Sequence, residues 1–367
     1  MLYKVAATTS AARFQYPPFY HSDTLRQREW LGEASSTVEL VRSSRGFLGQ
    51  YRTVRVEGAV MQVFTIDREA ILGNSRLKFL SDLVPVDEHL ANIEKFINLC
   101  YVEEGWTVAQ HGRVIALRAT DESRLSSAFK ASLYLGKYND MANTKRFLTS
   151  MVAAGHSYEP IRGETVLFLF IGIGKPVYDH LVTYTVGRPT RIAGGQRANV
   201  PWGFELPVEA RNPGEYEEEL ERIRNVIRLA KQDRAEQMQA ARAKLPVGYI
   251  MPPFLMEFSE EALIKTVFRQ RLFEKGAQGA TVEVVSDMLQ ACLQVDEEKW
   301  TVLIDYHGPH LQQWEKAMRT LRKDGLTLRD IAAQAGVDPE RALETPLYDL
   351  LVETVGKLPP SMWDKMR

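Results

Sequence analysis

The longest apolar run of the chain, Val166–Ile173, limits what the protein can fold into more than any other segment. Its β-branched, aromatic and leucine side chains predict a β-strand over Thr165–Ile171. Gly172, Gly174 and Pro176 follow at once and indicate that the strand ends there. A membrane-spanning helix needs about 20 apolar residues, so this run is too short to cross a bilayer. The segment therefore predicts a buried strand in a soluble protein.

Length and charge exclude several classes of protein. The chain has 367 residues, which exceeds one typical domain, and its net charge of −1 gives no overall positive field for nucleic acid. Met1–Ser10 lacks a basic segment followed by an apolar one, so no signal peptide is expected. Cys100 and Cys292 lie far apart in apolar helical contexts, which predicts two buried thiols in a reducing compartment. A cytoplasmic location without membrane contact is expected.

Residues 1–110 are predicted to form an N-terminal β-rich domain. A helix over Asp87–Cys100, with Asp87 as its N-cap, is expected to end it. No chemical constellation is evident in this region, and its role is left open. Its predicted strands are short and rich in β-branched residues: Val38–Val41, Arg52–Val56 and Val60–Phe64.

Residues 111–305 are predicted to form the main domain. A glycine- and arginine-rich loop over residues 185–200 interrupts its regular elements. Besides the strand described above, the predicted elements are a strand at Val114–Arg118 and helices at Glu122–Leu135, Asn143–Ala154, Val177–Tyr184, Glu215–Lys244, Ser259–Glu274 and Thr281–Leu293.

Residues 306–367 are predicted to form a helical C-terminal extension. Within it, Leu326–Ala342 has the pattern of a small helix-turn-helix, with Gly336 at the turn. Such a pair of helices can enter a major groove, but it is equally common in ordinary packing. The charges of this segment are mixed, so nucleic-acid binding is not favoured.

A set of short motifs then occurs in a characteristic order along the chain. They are Gly155-His156-Ser157, Glu164–Phe170, the loop Gly187–Arg197, Ala241–Pro246, and Arg271-Leu272 followed by Ala277-Gln278. In order and approximate spacing these motifs resemble those of the flavin-dependent thymidylate synthases, the ThyX family. Each motif alone has little specificity, and their shared order carries the resemblance.

The resemblance implies a fold, an assembly and a reaction. The fold is α/β of the α+β kind, a sheet flanked by helices, and subunits of the family assemble as homotetramers with active sites between subunits. The implied reaction is methylation of deoxyuridine monophosphate, with FAD, NADPH and methylenetetrahydrofolate. Neither a metal ion nor a cysteine nucleophile is implied.

The resemblance also assigns roles to individual residues, while no catalytic residue can be named. Arginine suits a nucleotide phosphate because its planar guanidinium can bond two oxygens at once. The implied substrate-binding residues are Gly194, Gly195, Arg197, Arg242 and Arg271. The implied cofactor-binding residues are His156, Glu164, Arg188 and Arg191. For each one taken singly, an ordinary structural role is the alternative: an ion pair, a turn or a satisfied histidine.

Several positions depart from the family pattern, mainly at flavin contacts. Thr185-Val186-Gly187 stands where the family has an R-H-R tripeptide, and Gly195 and Ala198 replace a serine and a tyrosine. Glu260 and Ala262 replace an asparagine and an arginine that grip the flavin. Three interpretations stay open: a divergent thymidylate synthase, an enzyme for another one-carbon modification of a pyrimidine nucleotide, or a non-catalytic member that binds nucleotide or has a structural role.

Overall fold

The computed structural model describes most of the chain from Tyr51 to His307 and short pieces beyond it. The described residues are 51–56, 59–134, 136, 159–188, 190–193, 200–210, 212–232, 234–273, 279–307, 325, 327–334, 336–338, 340–341, 344 and 350. By contacts the chain divides into two compact units, Met1–Arg42 with Thr53–Met61 and Ser43–Arg52 with Gln62–Arg367. The domain limits 1–110, 111–305 and 306–367 stay predictions.

Ten strands form three sheets in the described part. They are β1 Tyr51–Val56, β2 Ala59–Phe64, β3 Leu77–Phe79, β4 Ala109–His111, β5 Val114–Ala119, β6 Thr165–Phe170, β7 Thr190–Ile192, β8 Gly203–Glu205, β9 Tyr249–Ile250 and β10 Phe254–Ser259. The main sheet has the order β4-β5-β6-β10-β7 and its neighbouring strands are all antiparallel. A three-stranded antiparallel sheet has the order β3-β8-β9, and β1 pairs with β2.

Helices alternate with and flank these strands. They are α1 Arg68–Leu72, α2 Val86–Ile97, α3 Leu125–Tyr134, α4 Glu159–Arg162, α5 Lys175–Val182, α6 Glu217–Lys231, α7 Ala235–Arg242, α8 Glu260–Ala262, α9 Gly279–Val295, α10 Glu297–His307 and α11 Leu328–Gln334. Helix α2 continues in a π-helical turn, Asn98–Val102, and α8 continues as a π-helical segment, Leu263–Phe273. A 3-10 turn, Pro213–Tyr216, precedes α6. The α/β (α+β) class predicted from the sequence is confirmed.

Strand β6 is central, and its side chains are buried on both faces of the sheet. Phe168 and Phe170 point into an aromatic core, where the Phe170 ring stacks on Phe254 of β10 at 5.0 Å between centroids. Tyr178 of α5 meets the same Phe254 ring edge-on at 4.9 Å. The apolar strand β6 therefore holds α5 in place indirectly, because Phe254 of β10 contacts both Phe170 and Tyr178.

A buried ion pair fixes the start of α5. Arg113, at the start of β5, donates through Nη1 to Glu205 Oε1 at 2.8 Å and to the Gly172 carbonyl at 3.0 Å. The second oxygen of Glu205 accepts from the Gly174 backbone N–H at 2.7 Å, directly before α5. Because one carboxylate joins β5, β8 and the loop after β6, the position of α5 depends on both sheets.

Several predicted elements need correction. The helix predicted over Glu215–Lys244 is broken at Gln232–Arg234 into α6 and α7. Asp87 lies in the first turn of α2, and Pro85 occupies the N-cap position. Cys292 is buried as predicted, but Cys100 is exposed. The strand predicted at Val38–Val41 and the helix at Asn143–Ala154 lie outside the described residues.

The described residues also include part of the C-terminal tail, and they bear on whether the chain has membrane-spanning helices or metal sites. Helix α11 and Gly336, which has a φ of +70°, agree with the first half of the predicted helix-turn-helix. In the described part of the chain, no helix has the length and apolar character needed to cross a membrane. Among the same residues, His, Cys, Asp and Glu side chains form no group of three or more suited to a metal ion.

Candidate functional site

Three cationic side chains surround the Tyr178 ring on α5. Lys175 Nζ lies 5.5 Å from the ring centroid, and Arg191 Cζ, from the edge strand β7, lies 5.9 Å from it. Burial, followed by the nearby charge of Arg191, lowers the pKa of Arg188, while Tyr178 opposes that change. The Nη1 atom of Arg188 is buried and meets no hydrogen-bond partner among the described residues.

A second arginine–tyrosine pair lies just after α5. Arg271, in the π-helical segment, donates through Nε to the Tyr184 hydroxyl at 2.5 Å, and its Cζ lies 5.5 Å from the ring centroid. His180 Nδ1 lies 2.8 Å from the Thr281 hydroxyl of α9. Burial, and then the charge of Arg271, lowers the pKa of His180. The imidazole is thereby favoured in its neutral form.

We call Lys175, Arg188, Arg191 and Arg271 the cationic patch. In the described part of the structure, its one ion pair joins Lys175 to Asp179 within α5. Arg191 lies over the Tyr178 ring with the charge of Arg188 nearby, and Arg271 lies over the Tyr184 ring, so each tyrosine has positive charge beside it. Arginines next to aromatic rings and without carboxylate partners are suited to an anionic ligand that also carries a planar group.

The patch contains three residues that the sequence singled out, Arg188, Arg191 and Arg271. Arg242 lies in the last turn of α7, on the helical pair α6–α7. Gly194, Gly195, Arg197 and His156 fall outside the described residues.

Glu164 is buried at the start of β6 and is already bonded. Its carboxylate accepts from the Thr120 hydroxyl at 3.1 Å and forms an ion pair with Lys130. Its backbone carbonyl accepts from the Glu260 N–H at 2.9 Å. The carboxylate therefore braces β6 against α3, and it is not a solvated charge at the end of a strand.

Three of the positions that depart from the family pattern, Gly187, Glu260 and Ala262, lie with Ser259 at the end of β10. We call Gly187, Ser259, Glu260 and Ala262 the 187–262 corner. The Ser259 N–H donates to the Gly187 carbonyl at 2.6 Å, and the Ser259 hydroxyl caps α8 by accepting from Ala262 N–H at 3.2 Å. Gly187 has a φ of +73°, a conformation that glycine adopts without strain.

The acid of this corner points into the protein. Glu260 Oε1 accepts from Lys299 Nζ of α10 at 2.7 Å, and both side chains are buried. Burial raises the pKa of Glu260. For Lys299 burial favours the neutral amine, but the charge and the hydrogen bond of Glu260, together with the charges of Asp296 and Asp121, outweigh it, so the pKa of Lys299 is raised. Cys292 lies near the pair, and burial raises its pKa well above the ordinary value.

Sequence reasoning missed several members of these sites. Lys175 lies just before the predicted helix Val177–Tyr184, and Tyr178 and Tyr184 lie within it. The spacing of the two tyrosines was a signal that could have identified them. Lys299 gave no such signal, because a lysine on a charged helix is expected to be exposed to solvent. Its burial is visible only in the structure.

Neither a protein-family model nor a curated protein matches the chain. Solved structures do match it. One is a UMP/dUMP methylase, PolB, from Streptomyces cacaoi bound with 5-Br dUMP, at 13% identity and a TM-score of 0.41, covering 55% of this chain and 96% of that one. Another is the flavin-dependent thymidylate synthase ThyX from Helicobacter pylori complexed with FAD and dUMP, at 14% identity and a TM-score of 0.41, covering 53% of this chain and 99% of that one. Over about half of its length, the chain resembles ThyX and a nucleotide methylase.

Proposed function

We propose that the protein is a ThyX-like enzyme that binds a pyrimidine nucleoside monophosphate at the cationic patch and modifies its base. The observation that carries the proposal is the grouping of Arg188, Arg191 and Arg271 around two tyrosines. A phosphate dianion would relieve the repulsion between Arg188 and Arg191, and guanidinium groups bond phosphate oxygens in pairs.

The tyrosines supply the second half of the ligand chemistry. Tyr178 is buried against Phe254, so its ring is held rigidly, and Tyr184 is tied to Arg271. Rigid aromatic rings beside a cationic anchor suit a base and its phosphate. Burial lowers the pKa of His180 and the charge of Arg271 lowers it further, so an anion bound to Arg271 would weaken the second of these effects.

The finer assignment rests on the order of the motifs in the sequence. It gives deoxyuridine monophosphate as the substrate, methylenetetrahydrofolate as the one-carbon donor and NADPH as the reductant. The same motifs imply FAD, which is the one member of this set that the 187–262 corner opposes. Gly194, Gly195 and Arg197, in the loop after β7, are proposed to complete the phosphate contacts. His156, Glu164, Arg188 and Arg191 are the proposed cofactor contacts, and Glu164 keeps its contacts to Thr120 and Lys130. A homotetramer in the cytoplasm is the proposed setting.

Ligand-dependent thermal stability tests the proposal. Deoxyuridine monophosphate is expected to raise the melting temperature of the purified protein, while deoxyuridine, which lacks the phosphate, should not. Binding at 100 times Kd stabilises a folded protein by about 2.7 kcal/mol, which is easily measured. Arg242→Ala should abolish the shift if Arg242 contacts the substrate. Equal shifts from nucleotide and nucleoside would contradict a phosphate-anchored site.

A second candidate is a nucleotide-binding protein without catalytic activity. The buried Glu260–Lys299 pair favours it, because an acid fills a position where the family grips its flavin. Purified protein mixed with deoxyuridylate, methylenetetrahydrofolate and NADPH distinguishes the two candidates. Formation of a 5-substituted pyrimidine nucleotide supports the enzyme, whereas binding without any product supports the second candidate.

A further inference from the structure

We propose that the protein's own side chains close the 187–262 corner, so that no flavin binds there. The inference rests on the proposed function and deepens it, because it says that the enzyme lacks the flavin contact that the family makes at this corner. It makes the chain an exception to the cofactor set that its motifs imply.

The backbone at Gly187 leaves no space for a larger residue. A β-carbon at this position would lie 2.6 Å from Ser259 Oγ and 2.7 Å from Ala262 Cβ, both closer than real Cβ contacts. Ser259 N–H also bonds the Gly187 carbonyl at 2.6 Å. The segment before β7 is therefore in direct contact with the start of α8, where the family pattern requires two arginine side chains.

Ala262 and Glu260 complete the closure from the other side. Ala262 is buried, and its N–H is used by the Ser259 cap. Glu260 turns inward to Lys299, and its backbone N–H bonds the carbonyl of Glu164. The two backbone N–H groups and Glu260 Oε1 therefore already have partners inside the protein, and a cofactor would have to displace those contacts. Glu260 Oε2 is buried without a hydrogen-bond partner among the described residues, and as a carboxylate oxygen it offers nothing to a diphosphate.

Charge leads to the same conclusion. A flavin dinucleotide carries a diphosphate, which needs positive charge or free backbone N–H groups. None of Thr185–Gly187, Glu260 or Ala262 carries a cation, and Val186 is 88% exposed to solvent. The nearby arginines, Arg188 and Arg191, are grouped at Tyr178 instead.

The test compares FAD with deoxyuridine monophosphate on the full chain. Protein purified without added flavin should show no visible flavin absorption, and FAD should leave its melting temperature unchanged. A saturable FAD-dependent shift, or flavin that co-purifies at a stoichiometric level, would overturn the inference. The nucleotide arm is read separately: loss of the deoxyuridylate shift contradicts the proposed function and leaves the closed corner standing.

A pair of glycine variants tests the packing itself. Gly187→Ala meets both an unfavourable φ and two close atoms, whereas Gly105→Ala meets a φ of +80° with nothing within 4 Å. A larger loss of melting temperature for Gly187→Ala than for Gly105→Ala supports the closed corner. Equal losses would mean that the corner has room, which would overturn it.

Discussion

Lys299 Nζ lies 2.7 Å from Glu260 Oε1, and the two side chains are 1% and 0% exposed. The pair joins the last helix of the main core, α10, to the start of α8, directly behind the 187–262 corner. A buried ion pair contributes little net stability, but removal of one partner leaves an uncompensated charge. Removal of either side chain alone is therefore expected to lower the stability of the protein strongly, and the intact pair holds the corner closed.

Lys299→Met is the variant that tests this pair. We expect it to lower the free energy of unfolding by about 3 to 5 kcal/mol, because Glu260 would lose its buried partner. The matched control is the double variant Lys299→Met with Glu260→Gln, which removes both charges and should recover much of the loss. Urea unfolding monitored by circular dichroism measures both. A double variant as unstable as the single one would contradict the coupling.

Gly187→Ala should cost more than its φ alone explains. A left-handed backbone costs a non-glycine residue about 1 to 2 kcal/mol, and overpacking adds about 1 to 3 kcal/mol. Gly105→Ala carries only the first of these costs, since its surroundings are open. The difference between the two free energies of unfolding thus isolates the contact with Ser259 and Ala262. A difference of zero would show that these atoms move aside freely.

His111 makes stability depend on pH. The hydrogen bond that His111 Nδ1 donates to Asp287 Oδ1, against the opposing effect of burial, raises the pKa of His111 above the ordinary 6.5. The raised pKa means that the folded state binds the proton more tightly. This contribution is complete below the ordinary pKa and is lost as pH rises through the folded one.

His111→Gln removes that contribution. The melting temperature of the wild type should exceed that of His111→Gln most at about pH 5.5, and the gap should shrink towards about pH 8.5. Asp287→Asn should reduce the same pH dependence, because the pair lies 3.0 Å apart in the fold. A gap that widens with pH would contradict the assignment.

The central strand could be predicted from the sequence, whereas its partner could not. The sequence predicts a strand over Thr165–Ile171, and β6 spans Thr165–Phe170. The prediction succeeds because a short run of β-branched and aromatic residues strongly favours a buried β-strand. Strand β10, Phe254–Ser259, was missed although Phe254, Met256 and Phe258 alternate towards the core. Its polar alternate, Glu257, and two preceding prolines hid the pattern. In the fold Glu257 accepts from Arg118 and Thr165, which makes a carboxylate tolerable there.

Long-range contacts explain the other differences. The sequence shows Glu260 at a position where the family has an asparagine, but no local pattern shows that Glu260 is buried against Lys299, far along the chain. Where one helix over Glu215–Lys244 is predicted, α6 ends at Lys231 and α7 begins at Ala235, and the last buried residue of α6 is Ile227. Arg188 and Arg191 were selected from one motif and Arg271 from another, and only the fold shows that the first two lie near Tyr178 and the third lies at Tyr184.

Arg191→Ala and Arg188→Ala test the Tyr178 half of the patch. Each removes a charged donor, and a hydrogen bond to a charged group contributes about 1.5 to 3 kcal/mol, so each should weaken deoxyuridylate binding by about 10-fold to 100-fold. Arg222→Ala on α6 is the control, since its partner is the exposed Glu218 four residues before it. Equal affinities for all three variants would remove these arginines from the site.

The most direct test of the account is a calorimetric titration of deoxyuridine monophosphate into wild-type protein and into Arg271→Ala. Arg271 bonds the Tyr184 hydroxyl and lowers the pKa of His180, so it links the cation, the ring and the imidazole of the patch. The account predicts saturable binding by the wild type, a large loss in Arg271→Ala, and a smaller loss in Tyr184→Phe. Wild-type protein that binds no nucleotide, or an Arg271→Ala variant that binds it as tightly, would contradict the account.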